Sequence, residues 1–200
     1  MTSFYTEEEL SSMGFQSVGE GCKISRKASF YGISHISIGD NVRIDDFCIL
    51  SAGKRIIIGN YVHIACYTSL IGAEDIIISD FCSISGRVSI YSSSDDYSGR
   101  YMTNPMVPVQ FTNVTNAPVI LNKHVIIGCA SVILPGVTLE EGVAIGALSL
   151  VDHSCISDVI YCGNPLKKII PRSKKYRILE NQLKQVQHGR KNLEDYQSNS

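Results

Sequence analysis

Three sets of residues in this 200-residue chain have types and spacing suited to chemistry. The first lies between positions 92 and 118 and holds Asp95, Asp96, Tyr97, Arg100, Tyr101 and Asn104. Carboxylates can accept a proton or hold an ammonium, rings offer a face, and a guanidinium matches a pyrophosphate. The second is Lys167-Lys168, which follows Gly163-Asn164-Pro165-Leu166 and opens a basic tail. Residues 1–166 carry nine Lys/Arg against sixteen Asp/Glu, net −7, whereas residues 167–200 carry nine against three, net +6. The formal total of −1 therefore hides a cationic end on an acidic body, and such an end attracts a polyanion. The third is the histidines His35, His63, His124, His153 and His188, any of which can act as a proton acceptor near neutral pH. No two stand at the spacing of zinc ligands, which disfavours a three-histidine metal centre.

These residues must be held by something, and the chain has a strong period. From Leu121 an aliphatic residue recurs every six positions: Leu121, Ile127, Ile133, Leu139, Ile145, Val151. Four positions after each stands a small or β-branched residue: Val125, Ser131, Val137, Val143, Ser149. Neither a helix nor an alternating strand demands a period of six, but a chain that turns a triangular corner every six residues does. The same series opens at Val18, Ile24 and Phe30 and repeats as Ile38/Ile44/Leu50, Ile58/Ile64/Leu70 and Ile78/Ile84/Ile90. Each trio starts twenty residues after the last, so each coil has a two-residue expansion, near Ser34-His35, Lys54-Arg55 and Glu74-Asp75. The expected fold is all-β, a parallel β-helix of hexapeptide repeats whose stacked coils bury one another's faces.

The repeat also shows where the chain departs from it. Leu121 comes about 23 residues late, and the excess, a Ser-, Asn-, Pro- and Tyr-rich loop over 92–118, has no period. A long excursion from a regular solenoid is usually functional. Residues 2–16 are expected to form a short helix, with Thr6 as cap and three glutamates in the first turn. The body is placed at 1–172 and a helical tail at 173–200, where Tyr176, Leu179, Leu183, Val186 and Leu193 make an apolar stripe broken at Gly189-Arg190. Seven cysteines without a CxxC pair fit reduced structural thiols. No run is long enough to span a membrane and the N-terminus lacks the pattern of a signal peptide, so the expectation is cytoplasmic, with no membrane partner. Stacking aromatics and a reading motif for nucleic acid are also missing.

Ile-Gly-x-x-Ser/Val-x hexads, the mid-chain loop, Pro135-Gly136-Val137 and Gly163-Asn164-Pro165 together resemble the hexapeptide-repeat acyltransferases over about Val18 to Pro171. FYTEEELSSMGF, SRKASFYG, NVRIDDFCILSAG and SIYSSSDDYSGRYMTNPMVP look like the branch that N-acetylates dTDP-4-amino-4,6-dideoxy-D-glucose for O-antigen synthesis. Galactoside and maltose O-acetyltransferases are broader relatives. The resemblance implies a left-handed β-helix, a homotrimer with active sites between subunits, a nucleotide-sugar acceptor, and acetyl-CoA as donor with no metal. It places coenzyme A along Cys129, Ala147 and Ser149, with Asn164, Pro165, Lys167 and Lys168 at the adenine and phosphate end.

Acyl transfer needs a held thioester, a nucleophile freed of its proton, and donors for the oxyanion. The O-acetyltransferase relatives carry a histidine where the loop leaves the coil, and Asp95 stands about there in this chain. Two readings follow. Asp95 or Asp96 takes the proton or orients an acceptor ammonium, which suits an amine; or His63 or His124, outward-facing near the end of a hexad, reaches the site. Tyr97, Arg100, Tyr101 and Asn104 are then the candidate sugar-nucleotide contacts. A sugar O-acetyltransferase and a non-catalytic scaffold are the competing functions.

Overall fold

The computed structural model describes residues 3–198, with side chains as far as Gln187. Its body is the expected left-handed parallel β-helix, three-sided, with one short strand per side in each coil. The first side stacks Ser17–Val18, Ile36–Ile38, Ile56–Ile58, Ile76–Ile78, Val119–Leu121 and Thr138–Leu139 in parallel. The second runs from Lys23–Ile24 through Arg43–Ile44, His63–Ile64, Ser83–Ile84, Ile126–Ile127 and Ala144–Ile145 to Val159–Cys162. The third is built from Ser29–Tyr31, Ile49–Ala52, Ser69–Gly72, Ser89–Tyr91, Val132–Ile133 and Leu150–Val151.

Every aliphatic residue of the repeat from Ile38 to Val151 points inward and is buried. Stacking is in register even across the loop, since Ile78 pairs with Leu121 and Ile90 with Ile133. The core is thus a ladder of like side chains packed one coil on the next. Truncating a rung leaves a void its neighbours cannot close: Ile84→Ala is expected to cost about 2–5 kcal/mol in chemical denaturation. The two-residue expansions sit at the third corner, where Lys54 pairs with Glu74 at 2.7 Å and Arg55 with Asp75 at 2.8 Å.

The ends differ from the expectation. Helix α1 covers Glu7–Ser12, with a Thr6–Glu9 capping box, so it is shorter than 2–16; Thr2 lies outside the described residues. After Val151 the repeat does not fade into coil: Val159–Cys162 extends the second side, and Lys167–Pro171 returns antiparallel to it as a cap. Helix α2 covers Lys175–Ser198 and runs through Gly189-Arg190 without a break. The side chain of Leu193 lies outside the described ones, as does that of His188.

Helix α2 docks through Tyr176 of its stripe and through polar groups, not through the stripe's Leu179, Leu183 and Val186. At the first corner Tyr61, Phe81 and His124 occupy the left-handed region (φ 57°, 61° and 61°) and stack at 5.1 and 5.0 Å. Such a backbone costs about 1–2 kcal/mol per residue, and stacking offsets part of it. Tyr176 covers His124 at 4.5 Å, and Glu180 Oε2 meets His124 Nε2 at 2.6 Å. The Tyr176 hydroxyl donates to Asp158, which also pairs with Arg177 at 2.9 Å and Lys174 at 3.1 Å. Arg172 donates to the carbonyls of His124 at 2.7 Å and Gly142 at 3.0 Å. Leu179, Leu183 and Val186 stay exposed.

Lys184 and His124 hold the Glu180 carboxyl down to about 2, against the opposing effect of burial. A lowered carboxyl contributes fully above its ordinary value of 4.5 and loses that contribution as pH falls through its folded value. Amide protection of α2 should therefore hold between pH 7 and 5 and fall between about 4.5 and 2. Glu180→Gln should lower that protection at neutral pH.

Candidate active site

The second corner joins the second and third sides and differs from the first in its hydrogen bonding. It is turned by Cys66-Tyr67, Gly86-Arg87, Cys129-Ala130 and Ala147-Leu148, and the latter residue of each pair has φ between 58° and 62°. The N–H of that residue bonds to the coil before: Arg87 to the Cys66 carbonyl at 3.0 Å, Ala130 to Gly86 at 3.1 Å, Leu148 to Cys129 at 2.9 Å. The N–H groups of Cys66, Gly86, Cys129 and Ala147 have no acceptor among the described residues. At the first corner the equivalent donors are satisfied: Glu20, Asp40 and Asn60 N–H bond to the side chains of Asp40, Asn60 and Asp80 at 2.9, 2.7 and 2.9 Å. One corner is closed by its own side chains, and the other presents a rail of open donors about 4.8 Å apart, the spacing of stacked strands.

Small residues keep the rail accessible. A Cβ on Gly128 would lie 2.4 Å from the Ala147 nitrogen, so that close approach requires glycine. Cys129 and Ala147 are exposed. A thin chain carrying amide carbonyls, such as pantetheine, fits a line of N–H donors. At the C-terminal end of the rail stands the hairpin turn of Gly163, Asn164 and Pro165, with exposed Lys167 and Lys168 on the returning strand. Phosphates placed there would meet cations.

The loop leaves the coil at the third corner. Ser93–Ser94 pairs antiparallel with Thr115–Asn116 and closes its base. Asp96 is committed within it, accepting from the Ser98 N–H and from Asn113 at 3.4 Å, which holds its carboxyl below the usual carboxylate range. Asp95 is exposed and its carboxylate accepts no hydrogen bond among the described residues. The Asn104 side chain accepts from Met106 N–H at 2.9 Å and shapes a turn. Tyr97 is 93% exposed, and Met106 and Val109 also face outward.

No family model matches the chain. It is 55% identical over 183 residues, 91% of its length and 95% of the relative's, to a dTDP-4-amino-4,6-dideoxy-D-glucose acyltransferase of Escherichia coli. The chain belongs to this acyltransferase family. Among solved structures it is similar to AntD, an N-acyltransferase from Bacillus cereus crystallised with dTDP and 3-hydroxybutyryl-CoA. That likeness has TM-score 0.91 and 49% identity over 94% of this chain and 100% of the other. A maltose O-acetyltransferase from Clostridium difficile 630 shares the fold, at TM-score 0.56 and 20% identity over 84% of this chain and 75% of the other.

The enzyme's geometry sorts the residues expected from sequence. Cys129, Ala147, Asn164, Pro165, Lys167 and Lys168 fall along one corner. Ser149 does not offer itself to a ligand. It is buried, its N–H bonds to Ser131 Oγ at 3.2 Å, and its hydroxyl donates to Gly146 O at 2.7 Å and accepts from Gly163 N–H at 2.9 Å. It ties the corner to the hairpin from inside.

The reading of His124 as outward-facing is corrected, because Phe81, Tyr176 and Glu180 enclose it at the first corner, away from the rail. His63 does face outward, on the second side, with Nε2 2.8 Å from Asp45 Oδ2. Burial opposes ionisation of Asp45, but His63 and Arg43 outweigh it and hold the carboxyl low. Among the described residues no cluster of three His, Cys, Asp or Glu could hold a metal ion, and no helix is long and apolar enough to cross a membrane. Sequence reasoning missed Arg87 and Tyr67, which sit on the rail's own corner. Each directly follows a rail residue in its hexad, but which corner stays open shows only once the coils stack.

Proposed function

We infer that the enzyme transfers an acyl group from acyl-CoA to the 4-amino group of a dTDP-linked 4-amino-4,6-dideoxy-D-glucose. The observation that carries this reading is the rail of open N–H donors at Gly86, Cys129 and Ala147, leading to Lys167 and Lys168, in a chain of this family. Coenzyme A lies along the rail with its pantetheine carbonyls on those donors and its phosphates near the lysines. Asp95, the loop carboxylate left free, takes a proton from the acceptor ammonium or orients it. The neutral amine then attacks the thioester carbonyl, the C–S bond breaks, and the thiolate leaves with a proton. Rail donors also suit the oxyanion of the tetrahedral intermediate.

In one chain the loop base and the rail stand at different corners, with the third side between them. A homotrimer in which one subunit's loop reaches its neighbour's rail brings Asp95 to the thioester, and it covers Tyr97, Met106 and Val109, which a lone chain leaves in water. In this reading Asp96 and Asn104 shape the loop, Tyr97, Arg100 and Tyr101 contact the acceptor, and His63 lies outside the chemistry. Residues 1–172 form the catalytic body and 173–200 an appended helix. The product suits surface-polysaccharide assembly from cytoplasmic precursors.

Thiol release from acetyl-CoA with dTDP-4-amino-4,6-dideoxyglucose, a UDP-amino sugar, a galactoside and maltose tests the reading. Turnover is expected on the dTDP-amine, and turnover confined to the hydroxyl sugars overturns it. Lys167→Ala with Lys168→Ala is expected to raise KM for acyl-CoA about tenfold and leave KM for the sugar nucleotide unchanged. Sedimentation is expected to give three subunits.

A further inference from the structure

The rail runs on past the donors that a thioester of coenzyme A can use, and its surroundings change there. With the phosphates at the hairpin, the two amide carbonyls of pantetheine take Ala147 and Cys129, and the thioester carbonyl takes Gly86. The acyl chain then points at the next coil, about 4.8 Å on, where the rail residue is Cys66.

Each rail residue follows an outward residue of the second side, and the two columns together line a trough. Read from the hairpin, the outward column is Gly146, Gly128, Ser85, Ala65 and Asp45, each next to a buried isoleucine of the core. The rail column is Ala147, Cys129, Gly86, Cys66 and Asp46. Both columns begin small and both end in a carboxylate. Neither carboxylate is free to swing aside. Asp45 accepts from Arg43 Nε at 2.7 Å and meets His63 Nε2 at 2.8 Å. Asp46 accepts from Ser25 Oγ at 2.5 Å and from Lys27 Nζ at 2.9 Å. An apolar chain driven against them would strip water from two paired carboxylates and return no hydrogen bond.

The Cys66 side chain stands just before this wall. A Cβ built on Gly86 would lie 3.6 Å from Cys66 Sγ, so the sulfur already occupies the space beside Gly86 on its N-terminal side. Resting on the acyltransferase reading above, we propose that Cys66 sets the length of the acyl group. Its side chain, backed by the Asp45–His63 and Asp46–Lys27 pairs, admits acetyl and turns away longer chains. Gly128 and Gly146, on the hairpin side of the thioester, have no side chain with which to do this. In this role His63 and the carboxylates move no proton; they are the fixed backing behind the thiol.

Thiol release from acetyl-, propionyl-, butyryl- and 3-hydroxybutyryl-CoA, each with saturating dTDP-4-amino-4,6-dideoxyglucose, tests the assignment. In the wild-type enzyme kcat/KM should be highest for acetyl-CoA and at least about tenfold lower for butyryl-CoA. Cys66→Gly reproduces the residue found at the same turn position one coil on, and Cys66 is exposed, so the melting temperature should stay within a few degrees of wild type. That variant should raise kcat/KM for butyryl-CoA about tenfold and hold acetyl-CoA within about threefold. Cys66→Leu carries the stop over Gly86 and should cut kcat/KM for acetyl-CoA about tenfold, with coenzyme A itself bound within about threefold of wild type by calorimetry. A wild-type enzyme that uses butyryl- or 3-hydroxybutyryl-CoA as readily as acetyl-CoA overturns the assignment while the acyltransferase reading stands. So does a Cys66→Gly enzyme with the wild-type ratio of acetyl to butyryl transfer, or a Cys66→Leu enzyme with undiminished acetyl transfer. Thiol release from none of the donors overturns both.

Discussion

Asp95→Asn is expected to lower kcat for acylation of the sugar amine by about 10²- to 10⁴-fold while coenzyme A binds as before. The side chain keeps its size and polarity and loses the ability to take a proton. Asp95 is exposed on the loop and its carboxylate is free, whereas its neighbour Asp96 is bound to Ser98 and Asn113. The two adjacent carboxylates therefore part company: Asp96→Asn should loosen the loop, with faster amide exchange at Ser98 and a smaller loss of rate. An acceptor amine is protonated near neutral pH, so a group that removes or directs that proton acts before the acyl group can move. Single-turnover kinetics would show the difference as a slowed chemical step, not a weakened complex. An Asp95→Asn enzyme with wild-type kcat would move the base elsewhere, and His63 would be the first residue to replace.

The second large effect is expected from deleting the rail without deforming the corner. Proline lacks an N–H and fits a turn position ahead of a residue with positive φ. The chain already does this at its third corner, where Pro135 precedes Gly136 at φ 83°. Cys129 and Ala147 hold the same place ahead of Ala130 and Leu148, at φ 58° each. Cys129→Pro and Ala147→Pro should each weaken coenzyme A by roughly tenfold, and together by roughly a hundredfold, if each donor meets a pantetheine carbonyl. Because neither N–H has a partner within the chain, the melting temperature should stay within a few degrees of wild type. Unchanged affinity for coenzyme A in the double variant would remove the rail from the site.

Most of the coil was legible because one physical requirement recurs at fixed spacing. An interior rung must be aliphatic and a corner must be small, so Ile44, Ile64 and Ile84 report their own stacking across twenty residues. The Lys167-Lys168 end was legible through charge. What could not be read was which polar atoms remain open once the coils stack. Ser149 looks like any small corner residue in sequence, yet its hydroxyl and N–H are consumed by Gly146, Gly163 and Ser131. His124 lies at an outward position of its hexad, but helix α2, more than fifty residues later, folds over it. The tail's stripe misled for a related reason: Tyr176 and Glu180 dock, and Leu179 and Val186 do not. Tyr67 went unremarked because nothing local distinguishes an aromatic at one corner from an aromatic at another. Tyr61 and Phe81 stack under the tail, and Phe47 and Tyr67 stand in the open.

The product of a complete turnover is the most direct measurement. Wild-type enzyme, acetyl-CoA and dTDP-4-amino-4,6-dideoxyglucose should release one thiol per sugar nucleotide consumed. NMR of the purified product should place the acetyl group on the C4 nitrogen, as an amide. An acetyl ester on a sugar hydroxyl, or thiol release with the amine untouched, would contradict N-acylation at this site.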